Sequence, residues 1–147
     1  MFKKTMLILT LALSLTTLGA ALAQAQTPGG AAIPPEMLEA LAKEKPMAQA
    51  DIDGYIKAMP VMVKAMTDQN AAAEMFKAAG MTEVRFSYVA AKVGLGMALA
   101  SGATPEQMQM DQIPEIIRPS KADIDLVKKN MDALQKAAAD MAKAMAQ

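Results

Sequence analysis

From Ile124 to the end of the chain, the apolar residues return at steps that suit only one kind of backbone. Ile124, Val127, Met131, Leu134, Ala138, Met141 and Met145 follow one another at intervals of 3, 4, 3, 4, 3 and 4 residues. That is a heptad seam: it lies along one side of an α-helix, whereas on a strand it would scatter over both faces. Lys129, Lys136 and Lys143 repeat every seven residues on the far side. Ser120 supplies the N-cap, with Asp123 three residues on, because a hydroxyl there accepts from an amide that has no partner within the first turn. The acid-first pairs Asp125–Lys129 and Asp132–Lys136 each add roughly 0.2–0.5 kcal/mol on an exposed face. So long an apolar stripe must be covered. Its flanks (Lys128, Asn130, Gln135, Ala137, Ala142, Ala144) lack the opposite charges of a two-stranded coil and widen the apolar face. The cover is therefore expected from the rest of this chain, around one continuous helix from Ser120 to Met145.

The preceding segments carry the same period. Pro35 opens a short helix with Glu36 and Glu39 in its first turn, Met37, Leu38 and Leu41 on its apolar side, and Pro46 at its end. Ile52, Tyr55, Ile56, Met59, Val63 and Met66 share one face of a helix over about 48–67, with a kink or break expected at Pro60, which cannot donate to the carbonyl of Ile56. Residues 71–79 follow, closed by Gly80 at a left-handed C-cap. Thr82 is the expected N-cap of a helix over 83–100 with Phe86, Val89, Val93 and Met97 in its stripe, and Gly102 ends it. Beside that stripe, Ala90, Gly94 and Ala98 form a row of small residues suited to close approach by another helix. Thr104-Pro105-Glu106-Gln107 has the N-cap, N1 and N3 residues of a restart, cut short by Pro114 and Pro119. Ala50-Asp51-Ile52-Asp53 and Ala122-Asp123-Ile124-Asp125 are an internal echo, each a few residues after a proline and each opening a helix. Acidic first turns are favoured anyway, so the echo does not by itself establish duplication.

The N-terminus reads as an address. Lys3-Lys4, the apolar run Met6 to Leu18 and the small residues of Ala21-Leu22-Ala23 have the layout of a secretory signal peptide over 1–23, cut after Ala23 or Ala25. The run is shorter than the roughly 20 apolar residues that span a bilayer, and no transmembrane segment is expected in the mature chain. Residues 24–34, with Pro-Gly-Gly, are expected to be a flexible tail, and 35–147 one helical domain. Without Lys3 and Lys4 the 15 basic residues become 13 against 15 acidic, a net charge of −2. That balance gives no basic footprint for nucleic acid. The chain has no Cys, so in an oxidising periplasmic or secreted setting the domain is held by packing rather than disulfides.

The same poverty limits its chemistry. There is no His, no Cys and no Trp, against 15 Met and abundant Ala. Nucleophile–base pairs normally need His. The carboxylate pairs Asp51/Asp53 and Asp123/Asp125 are two apart on a helix and diverge, so they read as first-turn acids. Arg85 and Arg118 are tied to no anion site by spacing, and Gly94-Leu95-Gly96 sits inside a helical pattern without the third glycine of a dinucleotide loop. The methionines are the one excess with a chemistry of its own, since thioethers are soft ligands suited to Cu(I) and Ag(I). Met59/Met62, Met62/Met66 and above all Met108/Met110, outside any clean apolar stripe, have spacings that could offer two sulfurs to one ion. Elsewhere Met serves as an adaptable core filler.

The expectation is thus an all-α bundle of four to five helices behind a signal peptide and flexible tail. It is exported, is not an enzyme and uses no cofactor. It binds a protein partner in the manner of an adaptor or chaperone, through a Met-rich apolar surface that can repack against varied chains. The alternative ligand is a soft metal ion at Met108 and Met110.

Overall fold

The computed structural model describes residues 34–68 and 70–147. The predicted signal peptide and all of the predicted tail except Pro34 lie outside the described residues. The described residues form six α-helices and two single 3-10 turns, with no strand among them. The helices are α1 (Pro35–Ala42), α2 (Gln49–Ala65), α3 (Asn70–Ala79), α4 (Glu83–Ala100), α5 (Lys121–Lys129) and α6 (Met131–Met145); the 3-10 turns are Met110–Gln112 and Glu115–Ile117.

Local chemistry sets most of the boundaries. Thr82 accepts from the Arg85 amide at 3.2 Å. Ser120 and Asp123 close a reciprocal capping box, with the Asp123 amide donating to Ser120 Oγ at 3.2 Å and the Ser120 amide to Asp123 Oδ2 at 2.8 Å. Gly80 (φ 67°) and Gly102 (φ 102°) take the left-handed conformation that ends α3 and α4. At each, a six-to-one bond follows: Met81 N–H to Phe76 C=O, and Ala103 N–H to Ala98 C=O, the Schellman pattern.

The Thr104 restart forms its capping box but not its helix. Thr104 and Gln107 bond reciprocally at 3.0 and 3.2 Å. One turn later Gln109 enters the left-handed region (φ 51°), and Met110 N–H bonds back to Pro105 C=O. The turn is therefore capped at both ends and stops.

α4 is the centre. Phe86, Tyr88, Val89, Lys92, Val93 and Leu95 are all buried along it, because α1, α2, α3, α5 and the second 3-10 turn pack around it. α3 folds back along α2, and α6 packs on α2. The best-covered side chains, Ile52, Met59, Val89, Val93, Val127 and Leu134, tie four helices into one core, at about 1.5–3 kcal/mol of apolar burial each.

Four expectations need correction. The C-terminal helix is two helices, because Asn130 (φ −104°, ψ 10°) separates α5 from α6. The two halves cover different neighbours, α5 on α4 and α6 on α2. Asn130 Nδ2 donates to Leu126 C=O at 2.8 Å, and the Asn130 carbonyl accepts from Leu134 N–H at 3.0 Å, so one residue closes one helix and opens the next. Among the described residues the helix count is accordingly six, above the four to five expected. The seam itself survives the bend as far as Met141, but Met145 is exposed, and so is Met66, although its spacing puts it on the α2 core face; both lie at helix ends.

The close helix approaches occur elsewhere than at the Ala90/Gly94/Ala98 row. Gly94 and Ala98 are only half-buried. Gly96 instead faces Val127, whose Cγ2 would stand 3.1 Å from an added Cβ. At Gly54 a Cβ would overlap the carbonyl oxygen of Ala79, so this glycine lets α3 return against α2. At Pro60 the helix runs through unbroken.

Candidate functional site

The densest polar chemistry lies on one face of α4. Arg85, Tyr88 and Lys92 are three and four residues apart, hence stacked along one stripe. The guanidinium carbon of Arg85 stands 5.3 Å from the Tyr88 ring centroid, and the ammonium of Lys92 stands 4.7 Å from it. The aromatic face lies between two cations, a favourable electrostatic position for both.

Each cation meets the first-turn aspartate of a neighbouring helix. Arg85 Nε and Nη2 donate to the two oxygens of Asp51 at 3.0 and 2.6 Å. Nη1 donates to Glu44 Oε2 at 3.2 Å and to the Lys45 carbonyl, and Nη2 also donates to the Pro46 carbonyl at 3.1 Å. All five guanidinium N–H bonds are used, which only a planar fork can do. Asp51 in turn accepts from the Ala48 amide at 2.8 Å, satisfying an orphan donor of α2. Arg85 thus fastens the α1–α2 connection and the start of α2 to α4. The hydrogen bond to Asp51 holds its pKa above the ordinary arginine value against the opposing effect of burial.

Lys92 repeats the arrangement two turns on. Its Nζ donates to Asp123 Oδ2 at 2.8 Å, and the same oxygen accepts from the amide and hydroxyl of Ser120 at 2.8 and 2.9 Å. The side chains are 9% and 4% exposed, so this is a buried ion pair. Burial disfavours both charges, yet the hydrogen bonds overcome it. The bond to Asp123, with Tyr88 alongside, holds Lys92 above the usual lysine value, and bonds from Lys92 and Ser120 hold Asp123 below the usual carboxylate value.

The internal echo acquires a physical meaning here. In both copies the aspartate after Ala closes its own helix start and takes a cation from α4. The second aspartates, Asp53 and Asp125, stay exposed at the surface. Sequence reading found the first-turn acids and their divergence. It missed their cations, because Arg85 and Lys92 are 34 and 31 residues away.

The polar atoms of this cluster are spent on one another and on the backbone, which fastens α2 and α5 to α4. Nearby, Tyr55 packs on Phe86 with ring centroids 5.7 Å apart, and Phe76 meets Phe86 edge-on at 5.6 Å. Burial pushes the Tyr55 hydroxyl up to about 12. Arg118 pins the loop before α5, donating to the carbonyls of Ile113 and Asp111 at 2.7 and 3.1 Å. Among the described residues no three carboxylates gather into a group that could hold a metal ion.

The methionines divide by position. Met47, Met59, Met62 and Met141 are buried. Met108 and Met110, the predicted soft-metal pair, flank the left-handed Gln109 and are both half-buried against the core. Among the described residues the exposed large apolar side chains are two, Met66 at 52% and Met145 at 55%. No helix among the described residues is long and apolar enough to cross a membrane. No protein family, curated protein or solved structure matches the chain.

Proposed function

We propose that this is an exported, non-catalytic helical protein that binds other polypeptides through the methionine-bearing end of α2 and α6, as an adaptor or chaperone does. The carrying observation is where apolar surface is left exposed. The buried charges of α4 are consumed in holding α2 and α5, whereas Met66 and Met145 stand in solvent. Half-buried Val63 lies on α2 and half-buried Met75 on α3, which packs along α2. Unbranched thioether side chains adapt their shape to a partner at little cost. The signal-peptide layout supplies the compartment.

The test follows aggregation of a chemically unfolded client protein by light scattering. The protein should suppress scattering in proportion to its concentration, and Met66→Glu with Met145→Glu should abolish the effect while leaving the helical spectrum unchanged. Equal suppression by the double variant, or none by the wild type, would rule the reading out. N-terminal sequencing of the protein from its host tests the export half, with a start at Gln24 or Gln26 expected.

A further inference from the structure

The chain has few groups to offer an oxidant. It contains no Cys, no Trp and no His, and Tyr55 and Tyr88 are both buried. Thioethers are therefore the side chains left to react, and burial sorts them. Met47, Met59, Met62 and Met141 are at most 8% exposed, whereas Met66 is 52% and Met145 55% exposed. The remaining methionines among the described residues are half-buried against the core.

The contrast repeats on two helices. Met62 of α2 is followed four residues later by Met66 at the C-cap, and Met141 of α6 by Met145, its last residue. In each pair the inner methionine is buried, at 3% and 7%, and the outer one stands in solvent. An oxygen added to Met62 or Met141 would put a polar group into the core. The same oxygen on Met66 or Met145 meets water.

We infer that Met66 and Met145 are sites of reversible oxidation by hydroperoxides, and that their oxidation switches off polypeptide binding. The sulfur lone pair attacks the terminal oxygen of the hydroperoxide, and an S–O bond forms as the O–O bond breaks. The alcohol, or water in the case of hydrogen peroxide, leaves with the proton. Sulfur loses two electrons and the peroxide gains them. The sulfoxide is polar where the thioether was apolar, which removes the adaptable apolar surface a client would meet. Neither residue belongs to the buried core, so the helices persist through the change. The switch rests on the polypeptide-binding reading; the location of oxidation does not, since it follows from exposure alone.

The experiment exposes the full chain to hydrogen peroxide, locates the added oxygens by peptide mass mapping, removes the peroxide and repeats the client-aggregation measurement. Met66 and Met145 should oxidise first, at least about tenfold faster than Met62 and Met141, because a buried side chain reacts only when its surroundings open. The chain carrying those oxygens should keep its helical circular dichroism and lose client suppression. Treatment with the two stereospecific methionine sulfoxide reductases should restore it. Met66→Leu with Met145→Leu keeps apolar surface and removes the sulfur, so the suppression of that variant should match its own untreated level after peroxide. Equal rates at Met62 and Met66, or at Met141 and Met145, would overturn the sites. Undiminished suppression by the selectively oxidised protein, or an equal loss in the leucine variant, would overturn the switch. No suppression before any peroxide is added would refute polypeptide binding and the switch with it, and the mass map alone would then decide the sites.

Discussion

Replacing Asp123 by alanine removes three interactions at once and leaves a cation behind. The carboxylate accepts from Lys92 Nζ, from the Ser120 amide and from the Ser120 hydroxyl. Without it the Lys92 side chain, only 9% exposed, keeps its charge in a site whose one remaining electrostatic partner is the Tyr88 ring. Breaking a buried pair from one side costs about 3–5 kcal/mol, mostly the penalty of the stranded charge. Loss of the capping box adds about 0.5–2 kcal/mol. The expected destabilisation is therefore about 3.5–7 kcal/mol, a large share of the roughly 5–15 kcal/mol that holds a domain together.

Lys92→Met should cost less, because Asp123 retains both Ser120 donors. The double variant should be more stable than Asp123→Ala alone, since no uncompensated charge remains. Urea unfolding followed by helical circular dichroism gives all four corners of the cycle. Strict additivity, or a loss below about 1 kcal/mol for Asp123→Ala, would refute the idea that the pair is buried and coupled.

The pH dependence has a fixed sign on each side. The folded pKa of Asp123 lies below its unfolded value, so its contribution is present above the ordinary aspartate range and is lost as pH falls through the depressed value. Lys92 lies above its unfolded value, so its contribution is present below the ordinary lysine range and is lost as pH rises through the raised one. In both windows Asp123→Ala should flatten the curve.

Three further outcomes are expected from the same unfolding measurement. Gly54→Ala should destabilise by about 2 kcal/mol or more although alanine is the better helix former, because its Cβ would overlap the Ala79 carbonyl; Gly96→Ala should cost less, because the Val127 methyl at 3.1 Å can give way. Gln109→Gly should stabilise by about 1 kcal/mol by relieving a left-handed side-chain residue, and a loss of stability would show that the Gln109 side chain has a role of its own. Leu134→Ala should cost about 2–5 kcal/mol, since Leu134 is fully buried, and a neutral result would mean that α6 is detached from the core in solution.

Much of this molecule could be read from residues within one turn of each other. Thr82 and Ser120 start helices, and Gly80 and Gly102 end them, through bonds that span three to five residues. Such interactions form wherever the local chain goes, so their signals do not depend on the rest of the fold. The heptad spacing likewise gave the buried line Val127, Leu134, Ala138 and Met141, because a period of 3.6 residues fixes the angle of each side chain about the helix axis.

That angle says nothing about which element lies opposite, and there the tertiary structure decided. Asn130 bends the C-terminal helix because its two halves have different partners, α4 and α2. Gly54 and Gly96, rather than Gly94, carry the close approaches because only assembly determines which turn of a helix meets a neighbouring backbone. Asp51 and Asp123 looked like ordinary first-turn acids until folding placed Arg85 and Lys92 against them. Met66 and Met145 satisfied the apolar pattern yet stand in solvent at the ends of their helices, for periodicity fixes the angle of a side chain about its own axis and not whether another element covers it.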